Sequence, residues 1–227
     1  MKKELLIFGS EGDLGKGVKT VLSQKGFNKI YLFDRNLESK TNGNIEHIKI
    51  KDLSVEDNVI LAFSYLKPDK DCFYYLFSSI GGFYGGLPIW ETKIEDWERM
   101  FNINLNSNFL IAKHFSILVK ASAGGAICFT SAYTAKNQEA FKGAYGASKS
   151  ALVHFVKTLA LEGKQINLSA ACILPYIIDT PSNRKWMPNS DFNSWVTPEE
   201  IGEVVYLILM EARYFSGNAI ELKNKIT

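Results

Sequence analysis

Residues 4–15, Glu4-Leu5-Leu6-Ile7-Phe8-Gly9-Ser10-Glu11-Gly12-Asp13-Leu14-Gly15, contain the pattern that decides the fold of this 227-residue chain. An apolar run ends in a glycine-rich turn, and a helix-like segment follows at residues 15–25. Glycines at these places permit a tight turn, close approach of the backbone to a pyrophosphate and close packing of helix on strand. The start of the helix offers unpaired N–H groups to a phosphate. Alone, the glycines also fit a plain structural turn. With the flanking strand and helix they predict a dinucleotide-binding turn made by Gly9, Ser10, Gly12, Asp13, Leu14 and Gly15.

Short apolar runs alternate with longer helix-like segments along the rest of the chain. We predict strands at residues 4–8, 29–34, 45–50, 72–77, 126–130, 167–174 and 219–222, and helices near residues 15–25, 55–66, 94–120, 145–162 and 197–212. The strands read as continuous apolar stretches, which is typical of strands buried on both faces. The alternation predicts an α/β fold with a Rossmann-type, doubly wound parallel β-sheet and helices on both faces. No repeat or linker interrupts it, so we expect residues 1–227 to form a single domain.

The composition narrows the kind of partner. The formal net charge of +2 is too small to favour nucleic acid or a membrane surface. The apolar runs are shorter than the roughly 20 residues that span a bilayer. Cys72, Cys128 and Cys172 sit inside apolar runs without metal-like spacing, and the three histidines are scattered. We therefore expect reduced, buried thiols in a cytoplasmic protein, no metal site, and a small-molecule substrate.

The end of the second predicted strand bears on which dinucleotide would bind. Asp34 lies 19 residues beyond Gly15, where a carboxylate accepts hydrogen bonds from ribose hydroxyls and repels a 2′-phosphate. Glu11 inside the turn adds negative charge, whereas the guanidinium of Arg35 could pair with a 2′-phosphate. We expect NADH to be the preferred cofactor, and Arg35 leaves NADPH open.

A second pattern opens the helix predicted at residues 145–162. In Tyr145-Gly146-Ala147-Ser148-Lys149, the tyrosine and the lysine are four residues apart and share one helix face. A nearby ammonium stabilises a phenolate, so we expect Lys149 to lower the pKa of Tyr145. Tyr145 would then donate a proton near neutral pH, and Lys149 would also hold the nicotinamide ribose. An amphipathic helix with an incidental Tyr and Lys is the alternative.

Together, these motifs resemble the short-chain dehydrogenase/reductase family over essentially the whole chain. Further matches follow in chain order: Asp52 and Leu53, Ser79, Gly81 and Gly82, Asn104, Ser131, and Pro175 with Thr180. The resemblance implies a nicotinamide-dependent oxidoreductase whose catalytic residues are Tyr145, Lys149, Asn104 and Ser131, with Asn104 holding a water relay to the lysine. It implies that Pro175, Ile178 and Thr180 line the carboxamide end of the nicotinamide. The remaining cofactor contacts would be the turn residues, Asp34, Arg35, Asp52, Leu53, Ser79, Gly81 and Gly82.

One departure from the family pattern is informative. The family serine that hydrogen-bonds the substrate carbonyl lies 13 residues before the tyrosine, where this chain has Ala132, with Ser131 one residue earlier. A shift of one residue turns a strand side chain to the opposite face, so Ser131 reaches the substrate only if a bulge re-aims it. The missing serine, the Gly-Gly-Phe-Tyr-Gly-Gly run at residues 81–86 and the loop at residues 179–195 resemble the dihydropteridine reductases of the family. Those enzymes typically have Trp where this chain has Phe83.

A long stretch with four prolines follows the last buried strand, at residues 175–198. Loops of this length in compact domains are usually functional or disordered. We expect residues 180–196 to be a mobile lid in which Trp186, Phe192 and Trp195 cover a flat substrate ring. Buried packing of the two tryptophans is the alternative. Phe83 and Trp186 are the predicted substrate contacts.

Three functions remain open. The first is reduction of a small polar carbonyl or a quinonoid imine, similar to dihydropteridine reduction. The second is a carbonyl reductase of ketone or 3-oxoacyl substrates, and the third is a non-catalytic module that senses the dinucleotide. The Tyr145/Lys149 pair favours an enzyme, because a sensor needs no proton donor. The helices at residues 94–120 and 145–162 carry more apolar residues than one face needs, and the resemblance implies a homodimer or homotetramer packed through them.

Overall fold

A parallel β-sheet forms the centre of the computed structural model, which describes residues 1–225. The strands are β1 (Lys2–Phe8), β2 (Lys29–Asp34), β3 (Lys40–Asn42), β4 (Ile45–Lys49), β5 (Cys72–Ser78), β6 (Gly124–Thr130), β7 (Leu168–Pro175) and β8 (Ala219–Leu222). Their order is β3-β4-β2-β1-β5-β6-β7-β8, and every neighbouring pair is parallel except β3 with β4. The chain therefore winds outward from β1 in one direction and then in the other, which confirms the doubly wound Rossmann-type fold.

Helices cover both faces of this sheet. They are α1 (Asp13–Leu22), α2 (Glu56–Phe63), α3 (Ile94–Phe101), α4 (Ser107–Lys120), α5 (Gly143–Gly163), α6 (Pro181–Trp186), α7 (Pro198–Met210) and α8 (Ala212–Phe215). Helices α2, α4 and α5 pack on one face with side chains such as Phe115 and Val156. Helices α1 and α7 pack on the other with Val18 and Val205. Two apolar layers thus enclose the strands, which explains why the strands read as unbroken apolar runs.

The structure bears on two predictions made from the composition: the state of the cysteines and the length of the apolar segments. Cys72, Cys128 and Cys172 are buried free thiols, as predicted. Burial raises the pKa of the Cys72 thiol to about 11, so it stays protonated and unreactive near neutral pH. Within residues 1–225, no helix is both long enough and apolar enough to cross a membrane.

Several elements differ from the sequence prediction: helix α6 lies within the predicted lid loop, and the helix predicted at residues 197–212 ends at Met210 and is followed by the short α8. The short strand β3 was not predicted; it pairs antiparallel with β4 across the two-residue turn Gly43-Asn44, in which Gly43 has φ 59°, and Gly-Asn is a typical hairpin loop. The single helix predicted at residues 94–120 is instead α3 and α4 joined by a π-helical turn at Asn102–Asn106. A π-helical turn adds one residue per turn without changing the apolar pattern much, so periodicity did not reveal it.

Candidate active site

A cavity of about 630 Å³ opens at the carboxyl edge of the sheet, beyond β5, β6 and β7. In doubly wound folds ligands bind at this edge, where the strand order reverses. The lining residues include Ser79, Gly81, Gly82, Phe83, Thr130, Ser131, Ala132, Thr134, Glu139, Lys142, Tyr145, Lys149, Pro175, Ile178 and Trp186. Segments that lie far apart in the sequence therefore meet in one chamber.

Tyr145 and Lys149 both line this cavity from the first turns of α5. The Nζ atom of Lys149 lies 6.0 Å from the centroid of the Tyr145 ring. It also donates a hydrogen bond of 2.9 Å to the carbonyl oxygen of Thr130, at the end of β6. The strand end thus holds the lysine in place, and the four-residue spacing keeps the tyrosine beside it.

The protonation of this pair differs from the sequence prediction. Burial, and to a lesser extent the negative charge of Glu139, raise the pKa of Tyr145 to about 12. Burial lowers the pKa of Lys149 to about 8. The expectation that Lys149 lowers the tyrosine pKa is wrong for this structure, because loss of hydration around the phenol outweighs any ammonium six ångströms from its ring. Tyr145 is therefore protonated at neutral pH and holds a proton that it can donate.

Asn104 is fully buried in the π-helical turn between α3 and α4. Its Oδ1 accepts a hydrogen bond of 2.9 Å from the backbone N–H of Gly82, and its Nδ2 donates to Ser148 Oγ at 3.0 Å. A Cβ atom on Gly81 would lie 2.7 Å from Asn104 Oδ1 and 2.8 Å from Lys149 Nζ. A glycine is needed there because the carboxamide and the ammonium both press against the backbone. The turn therefore joins the predicted asparagine, glycines and lysine in one cluster.

Residues 131–134 follow β6, and the position of the family serine among them is occupied by the apolar side chain of Ala132. Ala132 is buried and lines the cavity. The hydroxyl of Ser131 donates a hydrogen bond of 2.9 Å to the backbone carbonyl of Lys149. That bond turns the hydroxyl toward the backbone of α5, so the catalytic role of Ser131 stays a prediction that this contact does not favour. Thr134, two residues after Ala132, has a buried hydroxyl without a partner among the described residues.

The glycine-rich turn fits a dinucleotide phosphate. A Cβ atom on Gly15 would lie 1.9 Å from the carbonyl oxygen of Gly9, so only glycine allows α1 to start this close to β1. Helix α1 begins at Asp13 after Gly12, and no side chain in the described part of the chain, residues 1–225, caps its first N–H groups. Such uncapped groups at the start of a helix are donors for a phosphate. The hydroxyl of Ser10, also in the turn, is buried and has no partner in residues 1–225.

The charges around the predicted 2′ position differ from the sequence expectation. Asp34 is buried, and its two carboxylate oxygens accept hydrogen bonds from the backbone N–H groups of Glu11 and Asn36, at 3.0 and 2.9 Å. Glu11 itself forms an ion pair of 2.5 Å with Lys19. Lys19 offsets the charge of Glu11, so the added repulsion by Glu11 stays a prediction that this ion pair does not favour. Arg35 is exposed, so Asp34 alone remains to repel a 2′-phosphate.

Asp52 and Leu53 are placed in structural roles. The Oδ1 atom of Asp52 accepts hydrogen bonds from the backbone N–H and the hydroxyl of Ser54, at 2.9 and 2.8 Å. The side chain of Leu53 is buried in the core. Asp52 is exposed and keeps a free carboxylate edge, whereas Leu53 has only its backbone left for a cofactor. Their predicted cofactor contacts stay predictions.

The segment after β7 connects the cavity to the cofactor turn. Pro175 and Ile178 line the cavity. The hydroxyl oxygen of Thr180 accepts a hydrogen bond of 3.1 Å from the N–H of Asn183 and so caps α6. In that helix, Ser182 Oγ donates to Asp13 Oδ2 at 2.9 Å. Helix α6 therefore bridges the end of β7 and the start of α1.

The aromatic residues of the predicted lid separate into two groups. Trp186 is 62% exposed and lies against Phe83, with 5.7 Å between ring centroids. Phe83 in turn packs edge-on against Tyr145, at 5.0 Å. Trp195 is only 2% exposed and packs against Phe192 at 4.9 Å. The expectation that Trp195 covers a substrate is wrong, because it is a buried packing residue, whereas Trp186 and Phe83 do line the cavity.

Several residues of the site were missed in the sequence. Asn108 is buried, accepts a hydrogen bond of 2.7 Å from Ser78 Oγ and donates to the carbonyl of Ile80 at 3.1 Å. It follows Asn104 by four residues, and an asparagine repeated at helical spacing in an apolar helix was an available signal. Glu139 and Lys142 lie in a polar loop, where no periodicity distinguishes them.

No group of three or more His, Cys, Asp or Glu side chains that could hold a metal ion occurs within residues 1–225. The polar side chains that line the cavity carry hydroxyls, one amide, three phenols, the carboxylate of Glu139 and the ammonium groups of Lys142 and Lys149. This donor set fits an organic cofactor and a proton transfer.

Comparison with known proteins identifies the family. A family model described as short chain dehydrogenase matches residues 3–191. The dihydropteridine reductase of Dictyostelium discoideum is 30% identical, over 100% of this chain and 98% of that protein. Carbonyl reductase family member 4 of Xenopus laevis is 28% identical, over 97% and 96% of the two chains. The chain belongs to the short-chain dehydrogenase/reductase family and is an oxidoreductase of that family.

Solved structures agree with this fold. The structure of ElxO with NADP bound superposes with a TM-score of 0.83 over 97% of each chain, at 20% identity. A short chain dehydrogenase family protein from Francisella tularensis superposes with a TM-score of 0.80 over 98% of this chain and 97% of that one, also at 20% identity. The family binds nicotinamide dinucleotides and acts on small molecules, which is the class of chemistry for which the cavity and the turn are built.

Proposed function

We propose that this enzyme uses NADH to reduce a quinonoid dihydropterin or a closely related flat, polar ring. The observation that carries the proposal is the wall of the cavity around Tyr145. Phe83 packs against Tyr145, and Trp186 packs against Phe83. Ala132 lines the cavity where the family pattern has a serine hydroxyl. A dihydropteridine reductase aligned over both whole chains supports it.

The aromatic side chains suit a planar substrate. Phe83 contacts both Tyr145 and Trp186 within 6 Å between ring centroids, and aromatic faces bind flat rings through offset or edge-on contacts. Ala132 adds an apolar surface where the family pattern has a serine that binds a carbonyl oxygen. A quinonoid ring spreads charge over several atoms during reduction, so it depends less on one hydroxyl donor than a simple ketone does.

The residues of the site divide the work of such a reduction. A bound reduced nicotinamide supplies the hydride. Tyr145, protonated at neutral pH, donates a proton to a ring nitrogen or oxygen, and Lys149 returns a proton toward the phenol and holds the nearby ribose. Asn104 fixes the backbone of Gly82 and so the floor of the site. The ring would gain a hydride from the bound cofactor and a proton from Tyr145.

Reduction of simple ketones or 3-oxoacyl groups is the second candidate. A carbonyl reductase relative at 28% identity supports it. The hydroxyl of Thr134 in the cavity has no hydrogen-bond partner among residues 1–225 and could take the place of the missing serine. A non-catalytic sensor is disfavoured, because the buried Tyr145/Lys149 pair would have no use in it.

A turnover assay separates these candidates. With saturating NADH, we expect oxidation of the cofactor to be at least about tenfold faster, as kcat/KM, with quinonoid 6-methyldihydropterin than with a panel of small ketones and 3-oxoacyl thioesters. Equal rates, or a preference for the ketones, would favour the second candidate.

The preference for NADH over NADPH is part of the proposal and depends on Asp34. We expect the dissociation constant for NADPH to exceed that for NADH several-fold, and Asp34→Ala to remove the difference. Lys19→Ala, which frees the charge of Glu11, should widen the difference. Equal or reversed affinities in the wild type would mean that Arg35 dominates, and an unchanged preference for NADH in Asp34→Ala would show that Asp34 does not determine it.

We also propose that the protein acts in the cytoplasm as a homodimer or homotetramer. Outward side chains of α4 support the assembly: Phe109 and Ile117 are 46% and 59% exposed, and Phe109 packs on Phe155 of α5.

A further inference from the structure

Two charged side chains stand at the mouth of the cavity and belong to none of the motifs described above. Lys142 Nζ lies 2.7 Å from Glu139 Oε2, and both residues line the cavity beside Tyr145. The same Nζ lies 5.9 Å from the centroid of the Phe83 ring. The pair therefore borders the aromatic wall against which a flat substrate would pack.

The backbone holds this pair in place. Phe141, between the two residues, has φ 64°, a left-handed conformation that a bulky side chain rarely adopts. Its carbonyl oxygen accepts a hydrogen bond of 2.8 Å from the N–H of Gly86. This hydrogen bond joins the loop before α5 to the loop at residues 81–86, which contains Phe83. Strained residues of this kind persist where the surrounding structure imposes them, and they cluster at functional sites.

We propose that Glu139 and Lys142 are specificity-determining residues that bind the 2-amino-4-oxo edge of a pteridine ring, an inference that rests on the proposed function. That edge presents two adjacent N–H donors, from the 2-amino group and ring N3, followed by the carbonyl oxygen at position 4. A carboxylate accepts two parallel N–H donors, and an ammonium donates to a carbonyl oxygen. The carboxylate of Glu139 would accept from the two N–H donors, and the ammonium of Lys142 would donate to the carbonyl oxygen.

The electrostatics of the pair agree with this role. Both side chains are partly exposed, and exposed ion pairs contribute little to stability, so a substrate can replace the contact between them at small cost. The charge of Glu139 acts on the phenol of Tyr145, whose pKa it raises. Glu139 and Tyr145 also line the same cavity, so one small ring bound there can contact both.

Binding of two stable rings tests the inference independently of turnover. Pterin has the 2-amino group, whereas lumazine has a carbonyl there and is otherwise alike. With NAD⁺ bound, we expect the wild-type protein to bind pterin at least about tenfold more tightly than lumazine, the factor expected for a charge-assisted hydrogen bond. Glu139→Gln should remove that preference. Lys142→Met keeps an unbranched apolar side chain near Phe83 but removes the ammonium. It should weaken the binding of both pterin and lumazine, because both rings have the 4-oxo group.

The matched control is Asp69→Asn, which breaks an ion pair of 2.8 Å with Lys2 at the amino-terminal edge of the sheet. This variant should keep the wild-type preference, and binding of NADH by all variants checks that they are folded. A pterin preference that survives in Glu139→Gln, or its absence in the wild type, overturns the inference. If the wild type reduces quinonoid dihydropterin but Glu139→Gln still prefers pterin to lumazine, the role of Glu139 is refuted and the proposed reaction stands. If the pterin preference depends on Glu139 but the wild type does not reduce quinonoid dihydropterin, only the proposed reaction is refuted.

Discussion

Lys149 is the residue at which burial and charge oppose each other most directly. Its side chain is almost completely enclosed and donates to the carbonyl of Thr130, and burial lowers its pKa from 10.5 to about 8. A lysine with a pKa near neutrality gains and loses its proton within the working pH range. That property suits a group that passes a proton to Tyr145, whose own pKa of about 12 keeps it protonated between turnovers.

Replacing Tyr145 with Phe should remove the proton donor and little else. We expect kcat to fall about 10²–10⁴-fold, the usual contribution of general acid catalysis, with the dissociation constant for NADH nearly unchanged. Ser131→Ala is the control, because the Ser131 hydroxyl is bonded to the backbone of α5, and it should retain most activity. A Tyr145→Phe enzyme with more than about a third of wild-type turnover would show that the proton comes from another group or from water.

The pKa of Lys149 also predicts how stability depends on pH. Below pH 8 the lysine is protonated in both the folded and the unfolded chain, and the cost of burying the charge is fully present. Between pH about 8 and 10.5 the unfolded chain binds more protons than the folded one, so this residue's contribution to stability rises with pH. The unfolding free energy of the wild type, from urea denaturation, should therefore rise relative to that of Lys149→Met across this interval. Parallel pH profiles would contradict the lowered pKa.

At the scale of elements, the sequence predicted strands better than local irregularities. Buried strands leave long apolar runs, so all of the predicted strands are found within about two residues of their expected ends. The π-helical turn that places Asn104 leaves no such signal, because one added residue barely disturbs an apolar helix. The sequence did not predict the Glu11–Lys19 and Glu139–Lys142 ion pairs either, because both depend on the directions of the side chains in three dimensions.

The lid predicted at residues 180–196 consists of two parts that should differ in mobility. Helix α6 is short and carries the exposed Trp186 over the cavity, with Ser182 bonded to Asp13. Residues 192–196 are pinned by the buried Trp195, by a bridge between Ile178 and Val196, and by a bond from Lys225 N–H to Ser194. Hydrogen exchange in residues 181–187 should slow markedly when NADH and pterin bind, while residues 192–196 change little. Equal exchange in α6 with and without ligands would exclude it as a gate.

At the scale of the whole molecule, the position of β1 between β2 and β5 assembles the site. The cofactor turn follows β1, the loop with Gly81 follows β5, and α5 with its Tyr145 is reached after β6. Because parallel strands end at the same edge, these three segments converge without long connections. This convergence was predictable from the alternation of strands and helices. The assembly of several chains is a separate matter, and it depends on the outward faces of α4 and α5.

Replacing Ile117 with Glu should dissociate the proposed homo-oligomer. Ile117 is 59% exposed on α4, near Phe109, and a charge in an apolar subunit interface must be buried without a partner, which costs several kcal/mol. Sedimentation velocity should therefore show a dimer or tetramer for the wild type and a smaller species for Ile117→Glu. Leu207→Glu is the matched control, because Leu207 is 51% exposed on α7, on the opposite face of the sheet from α4, and should leave the assembly intact. A wild type that sediments as a monomer, or an Ile117→Glu variant that sediments like the wild type, would show that this face of α4 is not a subunit contact.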